Sequence, residues 1–224
     1  MTSSESGSQS RRRAERVDAV ANRERILAAA ETYFAQHGID APLRGVAERA
    51  AVGSGTLYRH FPTHADLVRG LYDRFVARLD VVADRCAQAP TGWEAVLTFI
   101  DGAAEVMMGA PVMSAVMRRQ AENDPGYRPG RRWEEPLRQS VAAAIAEEQL
   151  RPDVRPTDVA LVPYLLGSLA SFPEPMRTMA FTRLRSVVVD GLRRTGAGRA
   201  PLGEVGLHVD ELHAMVHDRP PERF

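Results

Sequence analysis

The feature that most restricts the fold of this chain is the spacing of its apolar residues, which recur every three or four positions in successive segments. These segments end at residues that stop helices, such as Gly38, Pro62 and Pro173. No stretch alternates apolar and polar residues for long enough to form a β-strand. The sequence therefore predicts an all-α protein, without the internal repeat of a solenoid.

Composition sets outer limits on function. The 224 residues are 44% apolar, enough for one large domain or for a small domain joined to a larger one. The formal net charge is zero, so a nucleic-acid partner would have to be held by local charge. Cys86 is the single cysteine, which excludes an internal disulfide or a cysteine zinc site. The sequence has neither a signal-peptide pattern nor an apolar run of about 18 residues, so we expect a cytoplasmic protein without membrane contact.

The N-terminal residues are polar and basic. Residues 1–21 carry arginines at positions 11, 12, 13 and 16, and we expect them to form a disordered basic arm. Such an arm can lie along the minor groove of DNA, and a solvated tail is the alternative. A first helix begins at Asn22, a favourable N-cap, and ends at Gly38. A backward extension of this helix to Arg12 stays open as a second interpretation.

Two short helices and a tight turn follow. Pro42 opens a second helix with one apolar face, and residues 51–53 form a turn that ends in Gly53. Residues 54–60 form a third helix, which stops before Pro62. Two short helices joined in this way and braced by a preceding helix form a helix-turn-helix.

The rest of the chain predicts longer helices. Thr63 and Asp66 have the spacing of a capping box at the start of a fourth helix, whose length is sufficient to link two domains rigidly. Thr91 and Glu94 repeat that spacing at the start of the next helix. Further helices are expected at about 131–150, 156–171 and 175–195, with one short helix in the tail sequence VDELHAMVHD.

Residues 22–67, NRERILAAAETYFAQHGIDAPLRGVAERAAVGSGTLYRHFPTHADL, resemble the DNA-binding domain of TetR-family transcriptional regulators. The most specific part is VAERAAVGSGTLYRHFPTHADL, because the turn, the aromatic pair and the next helix cap occur in register. The remaining chain resembles the family only in length, helix count and the phrase LRPDV. The resemblance divides the chain into a basic arm (1–21), a helix-turn-helix DNA-binding domain (22–67), a helical ligand-binding and dimerisation domain (68–195) and a C-terminal tail (196–224).

A helix-turn-helix reads DNA by placing one helix in the major groove, which is about 12 Å wide. Thr56 can contact a thymine methyl group or form a hydrogen bond, and Tyr58 can donate to a phosphate. The start of the fourth helix favours an anion because of its dipole. The predicted DNA-contacting residues are Arg44, Ser54, Gly55, Thr56, Tyr58, Arg59, His60 and His64.

The resemblance also implies that the second domain dimerises and binds a small molecule between its helices. The last two long helices are the expected dimer interface, with burial inside one monomer as the alternative. Methionine adapts to varied ligand shapes, although methionines at helical spacing also occur in ordinary cores. The predicted ligand-lining residues are Trp93, Met107, Met108, Met113, Met117, Trp133 and Tyr164.

The resulting hypothesis is a homodimeric bacterial repressor that binds a palindromic double-stranded DNA operator and is released by an unknown small-molecule effector. We expect no catalytic residues, cofactor or metal ligands, because no nucleophile, phosphate-loop or metal pattern is evident. One alternative is an activator of the same family. The other is an α-helical small-molecule binding protein or enzyme whose helix-turn-helix serves only packing.

Overall fold

The computed structural model describes residues 3–194, 201–202 and 206–217, with side chains from Val17 onward except at positions 213, 214, 216 and 217. Every regular element in these residues is a helix, so the all-α prediction is confirmed for the described chain. The chain forms two compact units, an N-terminal unit (Met1–Leu71) and a C-terminal unit (Tyr72–Phe224).

The N-terminal unit consists of α1 (Ser3–His37), α2 (Leu43–Arg49), α3 (Ser54–His60) and the first turns of α4 (His64–Ala87). Its core is apolar and drawn from all four helices. The largest buried side chains are Ile26, Leu27, Phe34, Val46, Leu57, Phe61, Leu67 and Leu71. The helix-turn-helix therefore has its own small core and does not depend on a single supporting helix.

The first helix is longer than the main expectation. α1 begins at Ser3, so the backbone of residues 3–21 is helical where a disordered arm was expected, and the backward extension is the interpretation that agrees with the structure. Residues 11–21 contain neither proline nor glycine and include four arginines and three alanines, which are good helix formers. A segment continuous with an existing helix also avoids the cost of helix nucleation. The arginines at positions 11, 12, 13 and 16 lie outside the described side chains.

The capping pair predicted for α4 is present. Asp66 accepts hydrogen bonds from the backbone N–H of Thr63 at 2.9 Å and from its hydroxyl at 2.7 Å. The backbone N–H of Asp66 in turn donates to Thr63 Oγ1 at 3.1 Å. These bonds satisfy N–H groups that a helix start leaves unpaired, and so fix the point where α4 begins.

The C-terminal unit contains the rest of α4 and six further α-helices within the described residues. They are α5 (Gly92–Met108), α6 (Met113–Asn123), α7 (Glu134–Ala146), α8 (Pro156–Gly167), α9 (Met176–Leu192) and α10 (Val209–His217). Two short 3-10 helices, Pro129–Trp133 and Ser168–Ser171, occupy the ends of segments that the sequence predicted as single helices. The tail helix in VDELHAMVHD is confirmed as α10.

α5 lies at the centre of this unit, where it packs against α7 and α8. Its start is held by a distant carboxylate: the backbone N–H groups of Gly92 and Trp93 donate to Glu147 at 2.7 and 3.1 Å. Thr91 Oγ1 accepts from the backbone N–H of Glu94 at 3.1 Å, as expected for an N-cap. Because a carboxylate is favourable at a helix N-terminus, Glu147 also stabilises α5 electrostatically.

The packing around Gly92 leaves no space for a side chain. A Cβ atom there would lie 2.4 Å from the backbone nitrogen of Ala144 and 2.6 Å from Ala143 Cβ. Glycine at this position is therefore what allows α5 to approach the backbone of α7 so closely.

No single helix in the described residues is long and apolar enough to cross a membrane, and α5 and α6, which would suffice as a pair, are bent by 89°.

Candidate nucleic-acid interface and ligand cavity

The turn between α2 and α3 is held by hydrogen bonds from outside it. Ala51 has a φ of 51°, in the left-handed region that an alanine adopts at a cost of roughly 1–2 kcal/mol. The guanidinium of Arg25 donates to the carbonyl oxygens of Ala50 and Ala51 at 3.2 and 3.4 Å. The backbone N–H of Val52 donates to the carbonyl of Ala47 at 3.0 Å. α1 thus fixes the turn that orients α3.

α3 has one buried side and one exposed side. Leu57 is buried in the core of the N-terminal unit together with Phe61, which follows the helix. The Arg23 guanidinium lies 5.1 Å from the Phe61 ring centroid and covers that ring. On the other side, Tyr58 is 51% exposed. Ser54, Gly55 and Arg59 are also exposed, whereas Thr56 and His60 are half-buried.

Two predicted contact residues flank this exposed side. Arg44 of α2 is exposed, and its Nε donates to Glu48 at 2.9 Å within the same helix. His64 is half-buried, and its Nε2 donates to the carbonyl of Ile39 at 2.8 Å. The His64 ring also packs 5.6 Å from the Phe34 ring centroid. His64 therefore joins the start of α4 to the segment before α2.

The C-terminal unit contains a partly open cavity of about 160 Å³, which we call the main cavity because seven helical elements contribute to its wall. Its walls come from α4, α5, α6, α7, α8, α10 and the first 3-10 helix. A buried apolar cavity of about 150 Å³ is large enough for benzene, so this volume suits a small organic molecule. The larger side chains that line it include Tyr72, Phe75, Leu79, Phe99, Met107, Met117, Trp133, Leu137, Tyr164 and Leu212.

Few polar groups face the main cavity. The Trp133 indole N–H donates to Asp80 at 3.0 Å and is therefore already used. Burial raises the pKa of Tyr164 to about 12, so its phenol stays protonated at neutral pH. No protein partner for that hydroxyl occurs among the residues that the structure describes. Tyr164 is thus a hydrogen-bonding group available to a ligand.

A second cavity of about 240 Å³ shares wall residues with the first. The shared residues are Phe75, Met107, Met117 and Tyr164. The second cavity is more polar, because Ser114, Ser168 and Ser171 contribute to its wall. The two cavities adjoin at Tyr164.

Comparison with known proteins agrees with this arrangement. Residues 26–71 match the family model described as bacterial regulatory proteins, tetR family. The TetR transcriptional regulator SCO0520 from Streptomyces coelicolor is 31% identical, with 78% of this chain and 99% of that chain covered and a TM-score of 0.58. The chain belongs to the TetR family.

Two further relatives of this TetR-family chain are informative. The HTH-type transcriptional repressor KstR of Mycolicibacterium smegmatis is 34% identical over 99 residues, which are 43% of this chain and 48% of that protein. The match therefore spans about half the length of the curated relatives. The ketosteroid transcriptional regulator KstR2 of Mycobacterium tuberculosis has a TM-score of 0.63 with 77% of this chain and 95% of that chain covered, but at 16% identity it shows the fold alone.

The structure brings most of the predicted DNA-contacting residues together. Ser54, Gly55, Tyr58 and Arg59 lie on one exposed side of α3, as expected. Thr56 and His60 are less exposed, and Arg44 lies on the neighbouring helix with an acidic partner. His64 has a structural hydrogen bond that the sequence did not reveal, because Ile39 precedes it by 25 residues.

The predicted ligand-lining residues divide into three groups. Met107, Met117, Trp133 and Tyr164 line the main cavity, and Met113 lines the second one. Trp93 is packed in the hydrophobic core instead, 5.0 Å from the Arg193 guanidinium, and Met108 lines neither cavity. The sequence analysis missed the contributions of α4 and α10. Apolar residues recur at helical spacing in α4, and this pattern was the available signal for its part in the cavity wall.

Proposed function

We propose that this protein is a homodimeric transcriptional repressor that binds a palindromic operator and is released by a small-molecule effector. The observation that carries the proposal is α3, a helix of seven residues that buries Leu57 and leaves Ser54, Tyr58 and Arg59 exposed. An isolated helix of this length is unstable, and it persists here because the N-terminal unit anchors it. A short, firmly anchored helix with a polar outer side suits the major groove.

Sequence reading is assigned to α3. Thr56 offers a methyl group and a hydroxyl to base edges, whereas Tyr58, Arg59 and His60 offer donors to phosphate oxygens. Within the described residues, Arg59 has no carboxylate partner, which leaves its guanidinium available to a phosphate. Arg44 is held by Glu48, so its contact with DNA requires an exchange of partners.

Dimerisation is assigned to α8 and α9. Several large apolar side chains stay exposed along this part of the C-terminal unit, and a partner that covered them would remove apolar surface from water. These residues are Leu165, Phe172, Met176, Met179 and Val187. A twofold axis would pair the surface with its own copy and bury both. The two α3 helices would then read half-sites separated by about 34 Å or a multiple of it.

Effector binding is assigned to the main cavity and the second cavity. α4 contributes Phe75, Val76 and Leu79 to the main cavity, and the same helix begins at His64, which is bonded to Ile39. An effector that binds one position of α4 better than another shifts the population of DNA-competent dimers. The apolar lining favours an apolar effector, and such a repressor acts in the cytoplasm.

The experiment is a binding assay with an operator selected from a pool of random duplexes. Thr56→Ala should change base preference at one position in each half-site, whereas Tyr58→Phe should weaken binding to all sequences alike by about fivefold. Affinity of the unmodified protein should fall steeply as salt rises, because phosphate contacts release counterions. Fluorescence anisotropy measures each dissociation constant.

Matched variants control for general damage to the N-terminal unit. Thr32→Ala removes an exposed hydroxyl that donates to Ala28 within α1, and Tyr33→Phe removes a hydroxyl packed near Gly45. Both should bind the operator like the unmodified protein. If Thr56→Ala and Tyr58→Phe kept full affinity and selectivity, or if no duplex were selected, the proposal would be wrong.

A further inference from the structure

The tail helix α10 forms part of the wall of the main cavity. Val209 and Leu212 of α10 line it, opposite residues of α4, α5 and α8. The helix packs against α6 and α8. Its start is stabilised locally, because Glu211 accepts a hydrogen bond from the backbone N–H of His208 at 2.7 Å. α10 follows α4 and α5 by more than a hundred residues in the sequence, and it completes part of the wall of a cavity that those helices line.

Ion pairs hold the start of α10 to the rim of the cavity. Asp210 lies 2.8 Å from Arg131 Nη2 and 3.7 Å from Arg128 Nη1. Arg131 itself lines the cavity. All three side chains are exposed to water, Asp210 at 74%. Exposed ion pairs contribute little to stability, so this contact can be broken and remade easily.

The chain before α10 is anchored separately. The backbone N–H of Leu202 donates to Asp153 at 2.7 Å, and Arg151 pairs with the same carboxylate at 2.8 Å. These contacts hold the pKa of Asp153 below its usual range, so the carboxylate remains charged at neutral pH. At Gly206, a Cβ atom would lie 2.5 Å from Arg155 Nη1. Displacement of α10 would therefore leave the chain fixed at Leu202.

We propose that α10 is the lid of the main cavity, that Asp210 latches it to Arg131 and Arg128, and that ligands enter when it is displaced. This inference rests on the proposed function in one respect, namely that the main cavity is the effector site. The described lining is mostly apolar, its charged residues are Arg131 and Glu134, and Arg131 is already paired, so the cavity suits an uncharged ligand. Tyr164 supplies that ligand with one hydrogen bond.

The first test measures the lid without any ligand. Trp133 lines the cavity and Trp93 is the only other tryptophan, so a Trp93→Phe background reports on Trp133 alone. In that background we expect Asp210→Asn to raise the acrylamide quenching constant of Trp133 by about two- to fivefold. Asp210→Arg should raise it further, because the new charge repels Arg128 and Arg131. Adding Arg131→Asp to Asp210→Arg should restore the original value.

The second test uses 1-naphthylamine, a small uncharged fluorescent probe, and keeps Trp93 in place. Stopped-flow mixing should show association about two- to fivefold faster in Asp210→Asn than in the unmodified protein. High salt should accelerate association in the unmodified protein but not in Asp210→Asn, since salt screens the latch. Glu135→Gln, which breaks the exposed Glu135–Arg138 pair, is the matched control and should change neither measurement.

The outcomes separate the two proposals. Faster association and stronger quenching in the Asp210 variants, with Glu135→Gln unchanged, support the lid. If Asp210→Arg matched Glu135→Gln in both measurements, the lid would be ruled out. Stronger quenching in a protein that never bound the uncharged probe would support the lid and count against an apolar effector site. We expect all of these variants to bind the operator like the unmodified protein, because none of the substitutions lies in the N-terminal unit.

Discussion

α3 and α9 both leave much of their surface in water, but the chemistry of the two surfaces is opposite. α3 exposes Tyr58 and Arg59, which can donate hydrogen bonds. α9 exposes Met176, Met179 and Val187, which cannot. A polar surface is stable in water, and its contacts with water can be replaced by contacts with phosphates and bases. An apolar surface is more stable when a partner covers it permanently. Under the proposed function, α3 therefore has a reversible partner and α9 a permanent one.

The largest expected effect comes from placing a charge on the apolar surface. Met179 is 68% exposed, so Met179→Asp should leave the monomer folded. In a symmetric dimer the substitution would bury two carboxylates, and we expect the dimer dissociation constant to rise by about a thousandfold. Light scattering coupled to size exclusion measures the change. Val81→Asp, at an exposed apolar position of α4, should leave the dimer intact. If Met179→Asp and Val81→Asp gave the same dimer dissociation constant, the exposed apolar side of α9 would not be the dimer interface, and the contrast with α3 would be lost.

Glycines within the C-terminal unit differ in how tightly they are packed. A Cβ atom at Gly92 meets the backbone of Ala144, so Gly92→Ala should reduce the free energy of unfolding by about 3 kcal/mol. Gly191→Ala, in open space on α9, should be neutral or stabilising by about 0.5–1 kcal/mol. Urea denaturation measures both. A tolerated Gly92→Ala would mean that α5 and α7 are packed less closely than the structure indicates.

The same substitution in α3 should have the reverse consequence. No atom lies within 4 Å of a Cβ built at Gly55, so Gly55→Ala should preserve or raise thermal stability. We expect operator affinity to fall by about tenfold, because the added methyl group keeps the α3 backbone away from the DNA. Calorimetry and fluorescence anisotropy measure the two effects. Unchanged affinity would show that DNA does not approach this part of α3.

The smallest expected effect concerns the pH dependence of stability. The folded-state pKa of Tyr164 is raised to about 12 by burial, whereas an unfolded tyrosine titrates near 10. Above pH 10 the unfolded chain loses this proton first, so stability falls as pH rises from about 10 to 12. Tyr164→Phe should remove about 1 kcal/mol of the loss between pH 9 and pH 11. Urea midpoints at both pH values measure it, and identical curves for both proteins would contradict the burial of this phenol.

Local features of the fold were predictable, and long-range contacts were not. The Thr63–Asp66 cap and the inward Leu57 follow from spacings of three or four residues, so the start of α4 and the orientation of α3 were predicted correctly. The left-handed residue of the turn is Ala51, although glycine would be the usual choice, and the long-range bonds from Arg25 help to hold it there.

The cavity depended on contacts that no local pattern encodes. Glu147 caps the start of α5 although it lies 54 residues from Trp93 in the sequence, and Arg131 forms an ion pair with Asp210, which lies 79 residues further along the chain. The α10 helix was predicted from its own sequence, but nothing in that sequence indicates which surface it covers. The methionines identified the cavity only in part: Met107 lines it, whereas the adjacent Met108 of α5 does not.

The continuity of α4 has a practical consequence. Its cavity-lining side chains fall between Tyr72 and Ala83, past the last residue assigned to DNA. A library randomised within that stretch would leave every base-reading position untouched. Such a library offers a route to biosensors that respond to new compounds while still acting on an unchanged promoter.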